Sequence, residues 1–130
     1  MIALDSPAVA MAAQLSIEPI DAVEAVVTYV DVTYSGSNRK EMEHSIVMQL
    51  VSAAPYIICP APPVNVTRLI DTVSITNTSS IVPIVVTVEL AHGDGHNHQI
   101  KWAPLLHNDS LHYERGHGWY KMNANGGRVA

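Results

Sequence analysis

The amino-acid sequence predicts an all-β protein with an antiparallel β-sandwich or jelly-roll-like fold of about seven or eight strands. The chain of 130 residues contains 16 valines and 11 isoleucines but no phenylalanine, so β-branched side chains must supply most of the core. Apolar and polar residues alternate with a period of two, and Gly, Pro, Asn and Asp interrupt this alternation roughly every ten residues. No helical pattern is long enough for the crossovers of a parallel sheet.

The first half of the chain contains three predicted strands. Residues 25–34 form the first strand, residues 44–51 the second, and residues 56–59 a short buried third. The sequence Pro-Ala-Pro-Pro follows at residues 60–63. Because proline has no N–H group to donate within a sheet, we interpret this segment as an extended crossover between two halves of the fold.

The second half begins with a predicted antiparallel hairpin. Residues 66–76 form a long strand that ends at the turn sequence Asn-Thr-Ser-Ser. Residues 84–90 form its expected partner strand, in which apolar residues at alternate positions face inward: Ile84, Val86, Val88 and Leu90.

The chain closes with shorter strands. Residues 98–102 follow the turn Gly-Asp-Gly, and residues 111–114 and 119–122 pair as a hairpin across Gly-His-Gly. The Ala-rich segment at residues 1–13 is either an arm or a short helix. We therefore expect an N-terminal arm at residues 1–20 and a single β-sandwich domain at residues 21–130.

Composition and charge exclude several classes of function. The formal net charge is −5 and the few basic residues are scattered, whereas a nucleic-acid-binding protein needs a basic surface. No stretch approaches the ~20 apolar residues that span a bilayer, so we expect no membrane partner. With Cys59 as the one cysteine, no intrachain disulfide can form, which suits a reducing cytoplasm. Charged residues make up only 15%, which favours a surface partly covered by other subunits.

Motifs for catalysis or cofactor binding are missing from the sequence. No serine lies in a G-x-S-x-G turn, and no glycine-rich nucleotide loop is present. Asp71 is interpreted as a partly buried carboxylate held by Arg68 or by backbone N–H groups. We expect neither enzymatic activity nor a cofactor.

Seven histidines are the one unusual feature of the composition. His92, His96 and His98 cluster near Asp94, and imidazole and carboxylate groups together can bind transition metals. However, glycines flank the cluster and no H-E-x-x-H motif is present, which is typical of a solvated hairpin tip. A polar loop is therefore favoured over a metal site.

Large aromatic residues are the candidates for contact with a partner. In a chain without phenylalanine, Trp102, Trp119, Tyr120 and Tyr113 are expected to anchor an interface or fill the core. The alternative is a sugar-stacking platform formed by Trp102, Trp119 and Tyr120.

Three segments resemble a family of small virion proteins of tailed bacteriophages. Residues 66–77 match the pattern R-x-I-D-x-V-S-I-x-N, and a Val/Thr-rich strand follows at residues 85–88. Residues 111–119 match L-x-Y-x-x-G-x-G-W, and residues 28–33 carry an aromatic-x-Asp step. The resemblance extends loosely from Ala22 to Arg128, and the histidine-rich insert at residues 92–98 departs from it.

The resemblance implies a structural role in a virus particle assembled in the host cytoplasm. A capsid decoration or cement protein that binds the major capsid protein or other virion subunits is the first expectation. A tail, fibre or head-fibre component is the second. Symmetric positions on such a shell imply a homodimer or homotrimer. A carbohydrate-binding sandwich and a metal-dependent enzyme remain the alternatives from other classes.

Overall fold

The computed structural model describes residues 1–80 and 83–129 and contains two antiparallel β-sheets. The larger sheet has seven strands and the smaller has four. The eleven strands of the described residues are β1 (Ala3–Leu4), β2 (Val9–Leu15), β3 (Val23–Ser35), β4 (Asn38–Leu50), β5 (Tyr56–Cys59), β6 (Thr67–Asn77), β7 (Ile84–His92), β8 (Asn97–Leu105), β9 (Ser110–Glu114), β10 (Gly118–Met122) and β11 (Arg128–Val129). The predicted all-β antiparallel sandwich is confirmed, whereas the jelly-roll connectivity stays a prediction.

The two sheets have different strand orders. The larger sheet runs β11-β10-β9-β6-β3-β4, and β1 pairs with β6 beyond the end of β9. The smaller sheet runs β5-β2-β7-β8. The end strands β4, β5, β8 and β11, together with the short β1, are therefore the edge strands of the described sheets.

The core between the sheets is mainly aliphatic, as the composition predicts. Its largest fully buried side chains are Leu4, Met11, Leu15, Leu50, Ile58, Ile70, Ile75, Ile84, Leu105 and Leu111. The predicted inward positions Ile84, Val86 and Val88 have no exposed surface, and Leu90 packs against the core at the rim. Alternation in β7 therefore predicted its buried face correctly.

The predicted hairpin between residues 66–76 and 84–90 is wrong. β6 pairs with β1, β3 and β9 in the larger sheet, whereas β7 pairs with β2 and β8 in the smaller one. The amide of Asn77 donates to the carbonyl of Leu105, and Ser79 is fully buried. The segment after β6 thus leads from one sheet to the other, a path that alternation alone cannot distinguish from a hairpin turn.

The expected N-terminal arm is also wrong, because residues 1–15 contribute two strands. β2 lies in the interior of the smaller sheet between β5 and β7, and Met11 and Ala13 are fully buried. Alanine is depleted in strands, so this segment gave only a weak strand signal. Among the described residues, the structure thus contains three strands that the sequence did not predict, namely β1, β2 and β11.

A β-bulge in β6 changes which side chains face inward. Thr28 pairs with Thr72 and Tyr29 pairs with Ile70, so Asp71 has no partner residue in β3. The Asp71 carboxylate forms a 3.1 Å ion pair with the Arg115 side chain. The Asp71 backbone carbonyl accepts a hydrogen bond from the Arg115 N–H at 2.9 Å. The proposed pairing of Asp71 with Arg68 is therefore wrong.

Arg68 of β6 is buried and joins the larger sheet to the proline-rich crossover. Its Nε and Nη2 donate to the two carboxylate oxygens of Asp31 at 2.8 and 3.1 Å. Its Nη1 donates to the carbonyl of Pro60 at 2.8 Å, and its guanidinium lies 4.5 Å from the ring centroid of Tyr29. Pro60 follows β5 of the smaller sheet, so residues 60–63 do connect the two halves of the fold, as predicted.

The burial of β2 gives a test of its place in the core. We expect Met11→Ala to lower the free energy of unfolding by about 2–5 kcal/mol, because it leaves a cavity. Met42→Ala is the control, since Met42 is 55% exposed whereas Met11 is 0% exposed, and it should cost less than about 0.5 kcal/mol. Urea denaturation measures both variants, and equal costs would contradict the position of β2.

The two-oxygen contact between Arg68 and Asp31 gives a second test. Arg68→Lys keeps the charge but lacks the planar fork that donates to both Asp31 oxygens and to Pro60 together, so we expect a loss of about 1.5–3 kcal/mol in unfolding free energy. Arg39→Lys changes the exposed Arg39–Glu41 ion pair and should cost less than about 0.5 kcal/mol. If both variants unfold at the same urea concentration, the contacts of Arg68 do not stabilise the fold.

Candidate functional site

A groove of about 520 Å³ opens between the edge strand β8 of the smaller sheet and strands β10 and β11 of the larger sheet. Its lining combines aromatic, aliphatic and basic side chains: Lys101, Trp102, Ala103, Pro104, Leu111, Trp119, Tyr120, Lys121, Arg128 and Val129. Both sheets contribute residues to the groove, so its shape depends on how the two sheets pack against each other at this edge.

Two lysines of the groove lie on the inner faces of the opposing sheets. A register shift in β8 leaves Ile100 without a partner in β7 and pairs Lys101 with the buried Val88. Lys121 pairs with the buried Leu111, and its ammonium group donates to the carbonyl of Pro104 at 3.0 Å. Lys121 thus bridges the two sheets across the groove.

Tyr120 lies in a row of stacked groups on the outer face of the larger sheet. The ring of His112 from β9 is 5.1 Å away with an interplanar angle of 12°, and the guanidinium of Arg128 is 4.1 Å from the Tyr120 centroid. The Tyr120 hydroxyl donates to Glu114 Oε1 at 2.6 Å, and this hydrogen bond raises the pKa of Tyr120. Tyr120 therefore remains a neutral donor, with its ring fixed by neighbours from both adjacent strands.

The structure brings together three of the four predicted contact residues. Trp102, Trp119 and Tyr120 all line the groove, and Trp102 is 56% exposed. Tyr113 is buried instead, where its ring packs edge-to-face under Trp119 at a centroid distance of 5.2 Å. Its hydroxyl accepts the N–H of Ile2 at 3.0 Å. Tyr113 therefore supports Trp119 and is not accessible to a partner.

The histidine candidates do not form a metal centre in the described residues. His92 and His98 contact each other edge-to-face at 5.0 Å, while His96 forms a 3.1 Å ion pair with Asp94. No group of three His, Cys, Asp or Glu side chains within residues 1–80 and 83–129 is placed to hold a metal ion. Residues 93–96 form the exposed turn between β7 and β8, in agreement with the predicted hairpin tip.

Cys59 is a buried side chain in the core, as predicted. Burial raises its pKa to about 11, so the thiol is protonated and poorly nucleophilic at neutral pH. Within the part of the chain that the structure describes, no helix is long and apolar enough to cross a membrane.

Sequence reasoning missed the basic residues of the groove. Lys101, Lys121 and Arg128 are scattered charges in the sequence, and no motif connects them. The sequence did place two of these lysines next to predicted contact residues, because Lys101 precedes Trp102 and Lys121 follows Tyr120.

Comparison of the chain with protein-family models, curated proteins and solved structures finds no match. The class that the fold defines is an antiparallel β-sandwich, and a more specific function must be argued from its surfaces.

His112 next to the groove gives a test by pH. Burial lowers the pKa of His112, and the smaller effect of Glu114 opposes this shift. The unfolded chain, with a histidine pKa of about 6.5, then binds protons that the folded chain excludes, so stability falls as the pH drops through that value.

We expect His112→Gln to show a smaller loss of unfolding free energy than the wild type between pH 7.5 and pH 5. His117→Gln, in the exposed turn before β10, is the control and should keep the wild-type profile. Urea denaturation at each pH measures the effect, and identical profiles for wild type and His112→Gln would refute it.

Proposed function

We propose that this chain is a structural protein of a tailed-phage particle, and in the first place a capsid decoration or cement protein that binds neighbouring virion subunits. The proposal rests on a contrast between the two outer faces of the sandwich. It is further supported by the resemblance of residues 66–77 and 111–119 to small virion proteins.

The outer face of the smaller sheet carries very little charge. The strand register places twelve residues of the described chain there: Ala10, Ala12, Gln14, Ile57, Val85, Thr87, Glu89, Ala91, Asn97, Gln99, Trp102 and Pro104. Glu89 is the one charged member of this set, and it accepts a hydrogen bond from Asn97 at 3.1 Å. A nearly uncharged face with an exposed tryptophan is typical of a surface that another protein covers.

The outer face of the larger sheet carries more charge, and most of it is acidic. Glu24, Glu41 and Glu43 project from it near its β4 edge, where Arg39 pairs with Glu41. Glu114 and Arg128 lie on it next to Tyr120. Solvated carboxylates are costly to bury, so this face suits contact with water. The sandwich therefore has one face suited to a subunit and one suited to solvent.

Binding of many copies explains how the small contact area of one copy would stabilise a shell. One copy offers a limited contact area, but many copies on a symmetric particle each join neighbouring subunits, and their contributions accumulate. A homodimer or homotrimer fits the two-fold or three-fold positions of such a particle. A tail, fibre or head-fibre position would use the same uncharged face.

A carbohydrate-binding module is the second candidate function. One observation favours it, namely that Trp102, Trp119 and Tyr120 line a single groove. Aromatic rings in such a groove can stack on sugar rings. A glycan array with Trp119→Ala as control tests this function, and an array without signal excludes it.

The assembly function is tested with empty capsids of the virus that encodes the chain. We expect the purified protein to bind at a fixed number of copies per capsid and to raise the temperature at which capsids disrupt. Trp102→Ala should weaken binding by about tenfold or more, because it truncates the exposed anchor of the uncharged face. Sedimentation of capsids with labelled protein measures the copy number and the affinity.

Tyr34→Ala is the matched control, because Tyr34 is 67% exposed but lies in β3 of the other sheet. It should bind capsids as the wild type does. Binding to neither capsids nor tails, or equal losses in both variants, would contradict the proposal. Binding to isolated tails alone would favour the tail position over the capsid.

A further inference from the structure

The groove between β8 and β10 is basic, although the protein as a whole is acidic. Three of the seven Lys and Arg residues line it, and none of the twelve Asp and Glu residues does. Arg39, Arg68 and Arg115 each pair with an Asp or Glu side chain elsewhere. Among the described residues, the basic side chains without such a pair are Lys40, Lys101, Lys121 and Arg128. The unpaired positive charge is thus concentrated in the groove.

Protection of a sheet edge does not account for this concentration. An inward-facing lysine on an edge strand discourages edge-to-edge aggregation, and Lys101 on β8 fits that role. Lys121 and Arg128, however, belong to the other sheet, on β10 and β11. Lys101 and Lys121 border one space from the inner faces of the two sheets, while the Arg128 guanidinium stacks on Tyr120 at the outer side of the same opening. This arrangement favours an anionic occupant.

The backbone of β8 offers hydrogen-bonding groups on the same side. Lys121 donates to the carbonyl of Pro104, so this carbonyl points away from β7 towards the groove. Because backbone groups of alternate residues in an antiparallel pair point to the same side, the N–H and C=O of Trp102 also face the open edge. β8 pairs with β7 alone in the described sheet, and an added extended strand would find free partners there.

We propose that the groove binds an extended, carboxylate-rich segment of a neighbouring protein subunit. The backbone of that segment pairs with β8 at Trp102, and its Asp or Glu side chains contact Lys101, Lys121 and Arg128. Apolar side chains of the segment pack on Trp119. This inference rests on the proposed assembly function and specifies the chemistry of the partner.

Both tryptophans of the chain line the groove, so their fluorescence reports its occupancy directly. The probe is a capped peptide of eight residues in which glutamate and valine alternate, and the comparison peptide replaces glutamate with lysine. We expect a saturable change in fluorescence with the glutamate peptide only. Raising the salt concentration from 50 to 500 mM should weaken binding by about fivefold or more, because the contact is ionic and partly exposed.

Variants of the basic residues separate this inference from a general charge effect. The double variant Lys101→Gln/Arg128→Gln should bind the glutamate peptide at least tenfold more weakly, whereas Lys40→Gln on β4 should bind it unchanged. Urea denaturation of each variant checks that the fold is retained. Absence of a response to the glutamate peptide, or equal weakening by Lys40→Gln, would overturn the inference.

Two further outcomes decide between partners. If oligogalacturonate, a carboxylated sugar chain, saturates the fluorescence while the peptide does not, the groove binds carbohydrate and the inference is wrong. If the double variant still binds capsids with wild-type affinity, the inference is wrong while the assembly function stands. If the wild type binds the glutamate peptide but not the particle, the inference is supported as peptide recognition and the capsid function fails.

Discussion

The buried contact of Arg68 with Asp31 and Pro60 joins the larger sheet to the crossover that leaves the smaller sheet. A guanidinium enclosed in the core must keep its hydrogen bonds, because an unpaired buried charge costs several kcal/mol. Asp31 satisfies it from β3, and the Pro60 carbonyl satisfies it from the crossover that leaves the smaller sheet. A buried polar contact therefore holds this crossover against the larger sheet.

The sequence predicted the strands better than their partners. Alternation of apolar and polar residues located eight segments and the buried face of β7, because this pattern is visible within each single strand. It did not show that β6 and β7 lie in different sheets, since strand pairing depends on contacts distant in sequence. β2 was missed because its small alanines pack closely in an interior strand but have a low strand propensity.

The candidate site was predicted in its aromatic part but not in its basic part. Trp102, Trp119 and Tyr120 were singled out by size and scarcity, and these properties are visible in composition. The inward position of Lys101 depends on the extra residue Ile100 in β8, and a bulge changes the face of every residue beyond it. Tyr113 was expected to anchor an interface or fill the core, and the structure buries it under Trp119.

The separation of charge between the two outer faces has a consequence for any particle that carries many copies of this chain. Bound through the uncharged face, every copy would turn Glu24, Glu41 and Glu43 towards the medium. The carboxylates of all copies would then form a uniform negative coat, and coated particles would repel one another at low ionic strength. A chain bound in this way would thereby also set the colloidal behaviour of the whole particle.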